Sequence, residues 1–219
     1  MRTRGTLGNV VIMLAAVAAV SACGTQPGAV VFDPVGATAR PQASQGLGSA
    51  QPEVPPKQVP VPEPTVAKTQ KWVKIYSGPG TKLVAPTSIR TGSHNVELNA
   101  TPSTQFGTYV SDGAGRTLYR FDKDSAKPPE STCEGDCAKT WPPLLIKSPG
   151  KIFPKGVNPK ILGYVERTDG HCQVTINGWP VYYFSGDKAP GDVRGQGLGR
   201  VWFAVTPTGG KTHNLLDGK

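Results

Sequence analysis

Long apolar segments are missing from this chain of 219 residues. Its longest apolar run, 10–20, has eleven residues. That is too few to cross a bilayer core of about 30 Å, which needs roughly 20 residues in a helix. Beyond Ser93 no stretch shows a long apolar repeat with the helical period of 3.6, so at most one short helix is expected, at 134–140.

Signatures of common catalytic and cofactor sites are also missing. The sequence has no Gly-x-Ser-x-Gly motif, no conspicuous pair of carboxylates and only three histidines. It has no Cys-x-x-Cys-His, which excludes covalent c-type haem on motif grounds. The glycines of Gly195–Gly199 do not precede a helical pattern and therefore do not form a phosphate loop. We predict no catalytic residue, no metal ligand and no cofactor, and we interpret the protein as non-enzymatic.

Acidic residues are scarce, with 15 against 24 lysines and arginines. Between Pro64 and Val96 there are none, while five basic residues occur there: Lys68, Lys71, Lys74, Lys82 and Arg90. Such a segment could bind anionic lipid or an anionic wall polymer, at about 1 kcal/mol per charge near the surface. The alternative, which we favour on sequence, is an ordinary solvated stretch. No nucleic-acid-binding motif is present, so nucleic acid is not an expected partner.

The N-terminus has the three parts of an export signal. Arg2 and Arg4 precede the apolar run, and Val20-Ser21-Ala22-Cys23 follows it. This ending resembles the lipobox of bacterial lipoproteins, which implies cleavage before Cys23 and lipidation of its thiol. The alternative is an ordinary signal with an incidental cysteine. We predict a signal peptide over 1–22 and a lipid-anchored protein on the outer face of the cytoplasmic membrane.

Proline dominates the segment that follows, 23–64. Nine prolines lie between Gly24 and Pro64. Because proline fixes φ and lacks a backbone donor, this composition predicts a disordered or polyproline-like tether. At about 3.1 Å per residue, it could extend on the order of 100 Å. That length is enough to hold a domain well away from the lipid surface.

A ten-residue stretch occurs twice in the rest of the chain, at 115–124 and 178–187. Glycine, an aliphatic residue, tyrosine, phenylalanine and aspartate recur at the same places, which indicates a supersecondary unit used twice. Alternation in a strand would put the tyrosine and phenylalanine on one face and the aliphatic residue on the other. The aspartate would follow the strand and accept backbone N–H bonds in a turn.

Short strands and turn residues account for the region 93–219. Segments 106–110 and 117–121 flank Asp112–Gly115, a hairpin pattern. Further strands are predicted at 161–167, 173–176, 179–184 and 202–206, with Asp-Gly and Asn-Gly turns between the first three. We predict a mostly β protein: a single, mostly antiparallel β domain with two pseudo-repeats, at about 107–146 and 164–209. The basic segment 65–92 could add an edge strand at Trp72–Tyr76.

Several motifs together resemble the secreted-repeat lipoproteins of bacteria. The first half has Gly115–Tyr119, Ser131–Ala138 and Trp141–Leu144, and the second has Arg167, Asp169-Gly170, Gln173–Thr175, Asn177-Gly178, Gly191–Val193 and Gly195–Gly197. The family is identified by a Tyr-x4-Asp motif, present here as Tyr119/Asp124 and Tyr182/Asp187. The resemblance covers roughly Gly107 to Gly209. It implies no assigned activity.

Three cysteines remain besides Cys23. Three residues between Cys133 and Cys137 allow the approach of about 5.5 Å between Cα atoms that a disulfide prefers, and the resemblance also pairs these two. Such a pair could be a loop staple, a reducible redox disulfide or part of a soft-metal site with His171 and Cys172. Glu134 and Asp136 disfavour a reactive thiolate, so we favour the staple, leaving Cys172 free.

The sequence also offers a candidate ligand site of six residues: Tyr119, Asp124, Tyr182, Asp187, Trp141 and Trp179. Tyrosine hydroxyls and carboxylates could hold a cation or sugar, and the tryptophans could form an aromatic platform. We favour roles in core packing and turn closure. Our first hypothesis is a lipid-anchored envelope protein that binds a ligand or an envelope partner. The alternative is an extracytoplasmic redox or copper-handling protein that uses Cys133 and Cys137.

Overall fold

The computed structural model describes residues 62–82 and 84–213. The predicted signal peptide, the lipidation site at Cys23 and most of the tether lie outside these residues. No helix among them is long and apolar enough to cross a membrane.

The described chain consists of twelve strands and one short α-helix, α1 (Asp136–Thr140). Two single 3-10 turns occupy Pro159–Ile161 and Leu198–Arg200. The strands are β1 (Val66–Gln70), β2 (Val73–Tyr76), β3 (Ser93–Ser103), β4 (Gly107–Asp112), β5 (Tyr119–Phe121), β6 (Ser125–Ala126), β7 (Pro129–Glu130), β8 (Ile146–Lys155), β9 (Leu162–Glu166), β10 (Cys172–Ile176), β11 (Trp179–Tyr182) and β12 (Trp202–Ala204). The mostly β prediction and the single short helix are confirmed.

The first sheet has the strand order β1-β2-β8-β3-β4. Strand β8 pairs in parallel with both β2 and β3, whereas the outer pairs are antiparallel. The sheet is therefore mixed, which differs from the antiparallel arrangement expected from the hairpin patterns. The basic segment contributes two strands to it, and β1 rather than β2 is the edge strand.

Strands β3 and β8 are the two long strands that the sequence analysis missed. Strand β8 contains Pro149 and Pro154. Proline cannot donate a backbone hydrogen bond, so within sheets it is normally confined to edge strands or bulges. The structure places β8 at the centre of the first sheet, with Ile152 fully buried. Its neighbours β2 and β3 come from distant parts of the sequence, so no local turn signal announces either pairing.

The second sheet has the order β12-β5-β11-β10-β9 and is antiparallel throughout. Three of its strands are connected by the predicted turns. At the Asn-Gly turn, Asn177 has φ 52° and Gly178 φ 83°, which is the backbone that a two-residue hairpin turn requires. The expected hairpin around Asp112 forms only next to its turn, where Ser111 bridges Thr117. Away from the turn the two strands separate, because β4 belongs to the first sheet and β5 to the second.

Both faces of the second sheet are buried. One face packs on the first sheet through an aliphatic core that includes Val73, Leu98, Leu118, Val174 and Val181. The other face is covered by irregular chain. Between this face and its cover lies an aromatic core, formed by Tyr109, Tyr119, Phe121, Trp141, Tyr182 and Trp202 with Cys133. The predicted alternation of each repeat is thereby confirmed, with Leu118 and Val181 in one core and the tyrosines in the other.

Candidate functional site

The two copies of the repeated stretch lie side by side. Strands β5 and β11 are antiparallel neighbours in which Tyr119 is directly opposite Tyr182. Both tyrosines are fully buried. This register relates the two repeats by a local two-fold axis between the tyrosines. The chain that follows each tyrosine therefore runs alongside the strand of the other repeat, in the opposite direction.

The tyrosine of each repeat is hydrogen-bonded to the aspartate of the other. Tyr119 donates its hydroxyl to Asp187 Oδ2 at 2.8 Å, and Tyr182 donates to Asp124 Oδ2 at 2.7 Å. Each Tyr-x4-Asp motif therefore contributes its tyrosine to one hydrogen-bonded pair and its aspartate to the other. We call Tyr119–Asp187 and Tyr182–Asp124 the crossed pairs. Because the strands are antiparallel, the aspartate beyond each strand end returns toward the opposite tyrosine.

The second oxygen of each aspartate binds a loop of its own repeat. Asp124 Oδ1 accepts the backbone N–H of Thr132 at 2.8 Å, and Asp187 Oδ1 accepts that of Arg194 at 2.9 Å. The expected turn closure occurs instead through the backbone, since each aspartate N–H donates to the carbonyl of the residue three before it. The carboxylates thus tie down loops seven or eight residues further along the chain.

Burial is the main influence on the ionisation of this site. It raises the pKa of Asp124 and of Asp187, and the hydrogen bonds from the tyrosines oppose that rise. Burial followed by the nearby carboxylates also raises the pKa of Tyr119 and of Tyr182 well above the usual range. The hydroxyls therefore remain protonated donors, which excludes their use as general bases near neutral pH.

A stack of four aromatic rings fills the space over the crossed pairs. Trp141 and Trp202 lie parallel at 3.9 Å between ring centroids, with 3° between their planes. Phe121 stacks on Trp202 at 4.1 Å, and Phe184 stacks on Trp141 at 4.3 Å. Each phenylalanine thus packs on the tryptophan of the other repeat. Both faces of Trp141 are covered, so it does not offer a platform for a ligand.

Trp179, the other tryptophan of the candidate set, lies away from this stack. The guanidinium of Arg120 is 3.3 Å from its ring centroid, a cation–π contact that occupies one ring face. The arrangement supports the packing role that the sequence favoured for the candidate residues.

The predicted disulfide between Cys133 and Cys137 is present, with Cα atoms 5.2 Å apart. Cys133 is almost fully buried against the aromatic core, and Cys137 contacts the same core. The bond therefore fastens the start of α1 to the layer that covers the crossed pairs.

Arg167 is a structural residue that the sequence analysis named only as part of the family pattern. Its buried guanidinium donates to the Cys133 carbonyl at 2.8 Å and to Gln173 Oε1 at 2.8 Å, and it contacts Asp169 at 3.2 Å. It also bonds Ser131, whose hydroxyl lies 2.8 Å from that of Tyr182. Arg167 therefore joins the disulfide loop to one of the crossed pairs.

Cys172 is unpaired among the described residues and is partly exposed. Burial raises the pKa of its thiol. Its neighbour His171 is exposed and contacts Asp169 at 3.2 Å. Within 62–82 and 84–213, no group of three or more histidine, cysteine and acidic residues is placed to hold a metal ion. The soft-metal alternative therefore has no assembled ligand set in this part of the chain.

An open groove of about 690 Å³ lies beside Phe184. Its lining is largely apolar and includes Ile89, Ala138, Pro142, Pro143, Leu145 and Phe184. Arg90 and Lys139 are exposed cations at this groove, and Lys139 is paired with Asp136. The acids of the groove are also bonded, Asp169 to Arg167 and Asp187 to Tyr119. Sequence analysis did not identify it, because Ile89 and Arg90 come from the basic segment and the other residues from the two repeats.

The chain matches the family described as a secreted repeat of unknown function at residues 100–145 and 163–206. No curated protein and no solved structure matches it. The two matched segments are the two repeats that exchange tyrosine–aspartate bonds, and the family's description agrees with the extracytoplasmic location predicted from the export signal. The chain therefore contains two copies of the secreted repeat that this family model describes.

Proposed function

We propose that this protein is a non-enzymatic, lipid-anchored protein of the cell envelope that binds a small amphipathic ligand in the groove beside Phe184. The ligand class is an apolar ring or chain with an anionic group. The observation that carries the proposal is the contrast between the crossed pairs, whose polar groups bond one another, and the groove, whose apolar lining remains open.

The size and charge of the groove support this ligand class. Its volume of about 690 Å³ is within the range of about 300–1,000 Å³ that small-molecule sites occupy. Arg90 forms no ion pair with a described carboxylate, so it is available to an anionic group at the groove. Phe184, Pro142 and Pro143 supply the apolar contacts.

The probe for this site is 1-anilinonaphthalene-8-sulfonate, an apolar aromatic anion. We expect saturable binding to residues 24–219, which contain every residue that the structure describes. Ala138→Trp fills the groove and should abolish the fluorescence increase. Ala67→Trp, at an exposed position of β1 outside the groove, should retain it. Binding that survives Ala138→Trp in a folded protein would contradict the groove assignment.

The lipid anchor has its own experiment. Cys23→Ala should abolish labelling by a fatty-acid analogue, because it removes the thiol to which the lipid is attached. The variant should then be soluble or retained as the precursor. Unchanged membrane partition of Cys23→Ala would contradict the anchor while leaving the groove proposal intact.

The redox alternative is separated by a thiol count on the purified domain. A staple should leave one free thiol, that of Cys172, under conditions that do not unfold the protein. A pair that is readily reduced by a mild dithiol, or a stoichiometric copper content, would favour the alternative instead. The burial of Cys133 in the aromatic core supports the staple.

A further inference from the structure

The outer face of the first sheet carries lysines and aromatic rings that the core does not use. In β2, Val73 and Ile75 are buried, so the alternating residues Lys74 and Tyr76 lie on the opposite face. In β8, Ile152 is buried and Phe153 is partly exposed beside the exposed Lys151. The same alternation thus produces a Lys–aromatic order on two adjacent strands.

The register brings like side chains together. Lys74 is directly opposite Lys151 in the parallel pair of β2 and β8. Tyr76 stacks on Phe153 with ring centroids 4.5 Å apart. Like charges directly opposite each other destabilise a sheet, and neither lysine has a salt bridge within 62–82 or 84–213. The fold gains nothing from this lysine pair, so both charges are available to a partner outside the domain.

More basic and apolar groups extend this outer face. Lys155 is exposed further along β8, and Lys82 lines a shallow hollow with Tyr76, Lys151 and Phe153. Trp72, in the turn before β2, is 61% exposed. Two carboxylates lie at this face, that of Glu97 on β3 and that of Glu63 in the hollow, against Lys74, Lys82, Lys151 and Lys155. The face therefore combines unpaired positive charge with exposed aromatic surface.

We propose that this face binds the anionic headgroups of a phospholipid membrane. Lysines near an anionic leaflet are attracted electrostatically, and tryptophan and tyrosine are enriched at the membrane–water interface. Lysines spread over two strands, with an exposed tryptophan at the turn beside them, suit an extended lipid surface.

The position of the tether supports the same partner. Glu63 and Pro64, where the predicted tether ends, line the hollow that contains Tyr76 and Lys151. If Cys23 is lipidated, which rests on the proposed function, the same membrane is within reach of the tether. A lipid chain and a basic surface are together the kind of double signal that gives stable attachment.

Residues 24–219 without lipid test this face independently of the anchor. The probes are vesicles of phosphatidylglycerol mixed with phosphatidylcholine, and vesicles of phosphatidylcholine alone, in a sedimentation assay. We expect binding to the anionic vesicles only. Lys74→Gln with Lys151→Gln should weaken it about 30-fold, at about fivefold per lysine, and added salt should weaken wild-type binding.

A matched double variant, Lys123→Gln with Lys127→Gln, removes the same charge from exposed positions near β6 and should bind as wild type does. Trp72→Ala should also weaken vesicle binding. Equal weakening by both double variants would show an effect of net charge and overturn the proposal. Absence of binding to anionic vesicles would overturn it too, as would binding to purified anionic wall polymer in preference to vesicles.

Discussion

At the residue scale, Tyr182 and Asp124 form the more deeply buried of the two crossed pairs. Asp124 is 7% exposed, whereas Asp187 is half-buried. A buried carboxylate is expensive unless hydrogen bonds compensate for the lost water. The hydroxyl of Tyr182 and the two donors of Thr132 provide that compensation. The hydrogen bond from Tyr182 therefore stabilises the fold chiefly because the buried carboxylate of Asp124 would otherwise lack one of its donors.

Removing either tyrosine should destabilise the domain. Tyr119→Ala and Tyr182→Ala should each cost about 3 kcal/mol or more, as the loss of a buried aromatic ring does. Tyr182→Phe should cost about 1.5–3 kcal/mol, because its hydroxyl bonds a charged group. The measurement is the free energy of unfolding in urea. Tyr109→Phe is the control, since Tyr109 is also buried but does not bond either aspartate. Unchanged stability of the alanine variants with lost ligand binding would assign the tyrosines to a binding site.

Ionisation of Asp124 should make stability depend on pH. Burial raises its pKa in the folded protein, so the folded state holds the proton more tightly than the unfolded chain. Its contribution to stability is then largest below the unfolded pKa of about 4 and declines as pH rises through the folded pKa. Asp124→Asn lacks this decline and should gain stability relative to wild type as pH increases above about 4.

The matched variant for this titration is Asp192→Asn. Backbone N–H groups of Lys188 and Ala189 lower the pKa of the partly exposed Asp192, so its contribution is present above the unfolded pKa and lost as pH falls. Asp192→Asn should therefore lose stability relative to wild type as pH rises toward about 4, below the range in which Asp124→Asn gains it. Parallel pH profiles for wild type and Asp124→Asn would contradict the assigned direction.

At the element scale, α1 and its disulfide hold the cover of the aromatic core in place. Trp141 ends the helix and stacks between Trp202 and Phe184. The N–H of Trp141 donates to the Cys137 carbonyl at 2.7 Å. The staple therefore positions one of the two central rings of the four-ring stack.

Replacing both bonded cysteines should have a modest effect on stability. A loop this short constrains few unfolded conformations, so Cys133→Ala with Cys137→Ala should lower the free energy of unfolding by about 2 kcal/mol. Cys172→Ala is the control and should change it little. Peptide mapping of the unreduced protein checks the pairing, and a peptide that links Cys172 to either partner would refute it.

At the scale of the whole molecule, the two repeats form one structural unit. Their central strands pair with each other, their tyrosines and aspartates are exchanged, and each phenylalanine stacks on the other repeat's tryptophan. Solenoid repeats, by contrast, contact only their neighbours and can be removed singly. Here each repeat completes the core of the other.

Separated repeats should therefore not fold. Residues 62–160 and 161–213, expressed apart, should each lack a cooperative thermal transition and the near-ultraviolet circular dichroism of packed aromatic rings. Mixing the two fragments should restore that signal, because the crossed bonds and the ring stack then form between chains. Cooperative unfolding of either fragment alone would show that the exchange is dispensable.

Local sequence patterns correctly predicted the features that form within a few residues. The Asn177-Gly178 turn, the strands on either side of it, α1 and the Cys133–Cys137 pair all depend on contacts between near neighbours, whose geometry a short spacing restricts. The tyrosine and phenylalanine of each repeat were also expected on one face, because side-chain alternation is a property of any strand.

Tertiary structure alone decided how these parts meet. The Tyr-x4-Asp motif occurs in each repeat, but the spacing is the same whether an aspartate bonds its own tyrosine or the other. The antiparallel register of β5 and β11 selects the crossed arrangement. The central place of β8 and the lysine pair of Lys74 and Lys151 likewise depend on strand order, which joins residues more than seventy positions apart and leaves no local signal in the sequence.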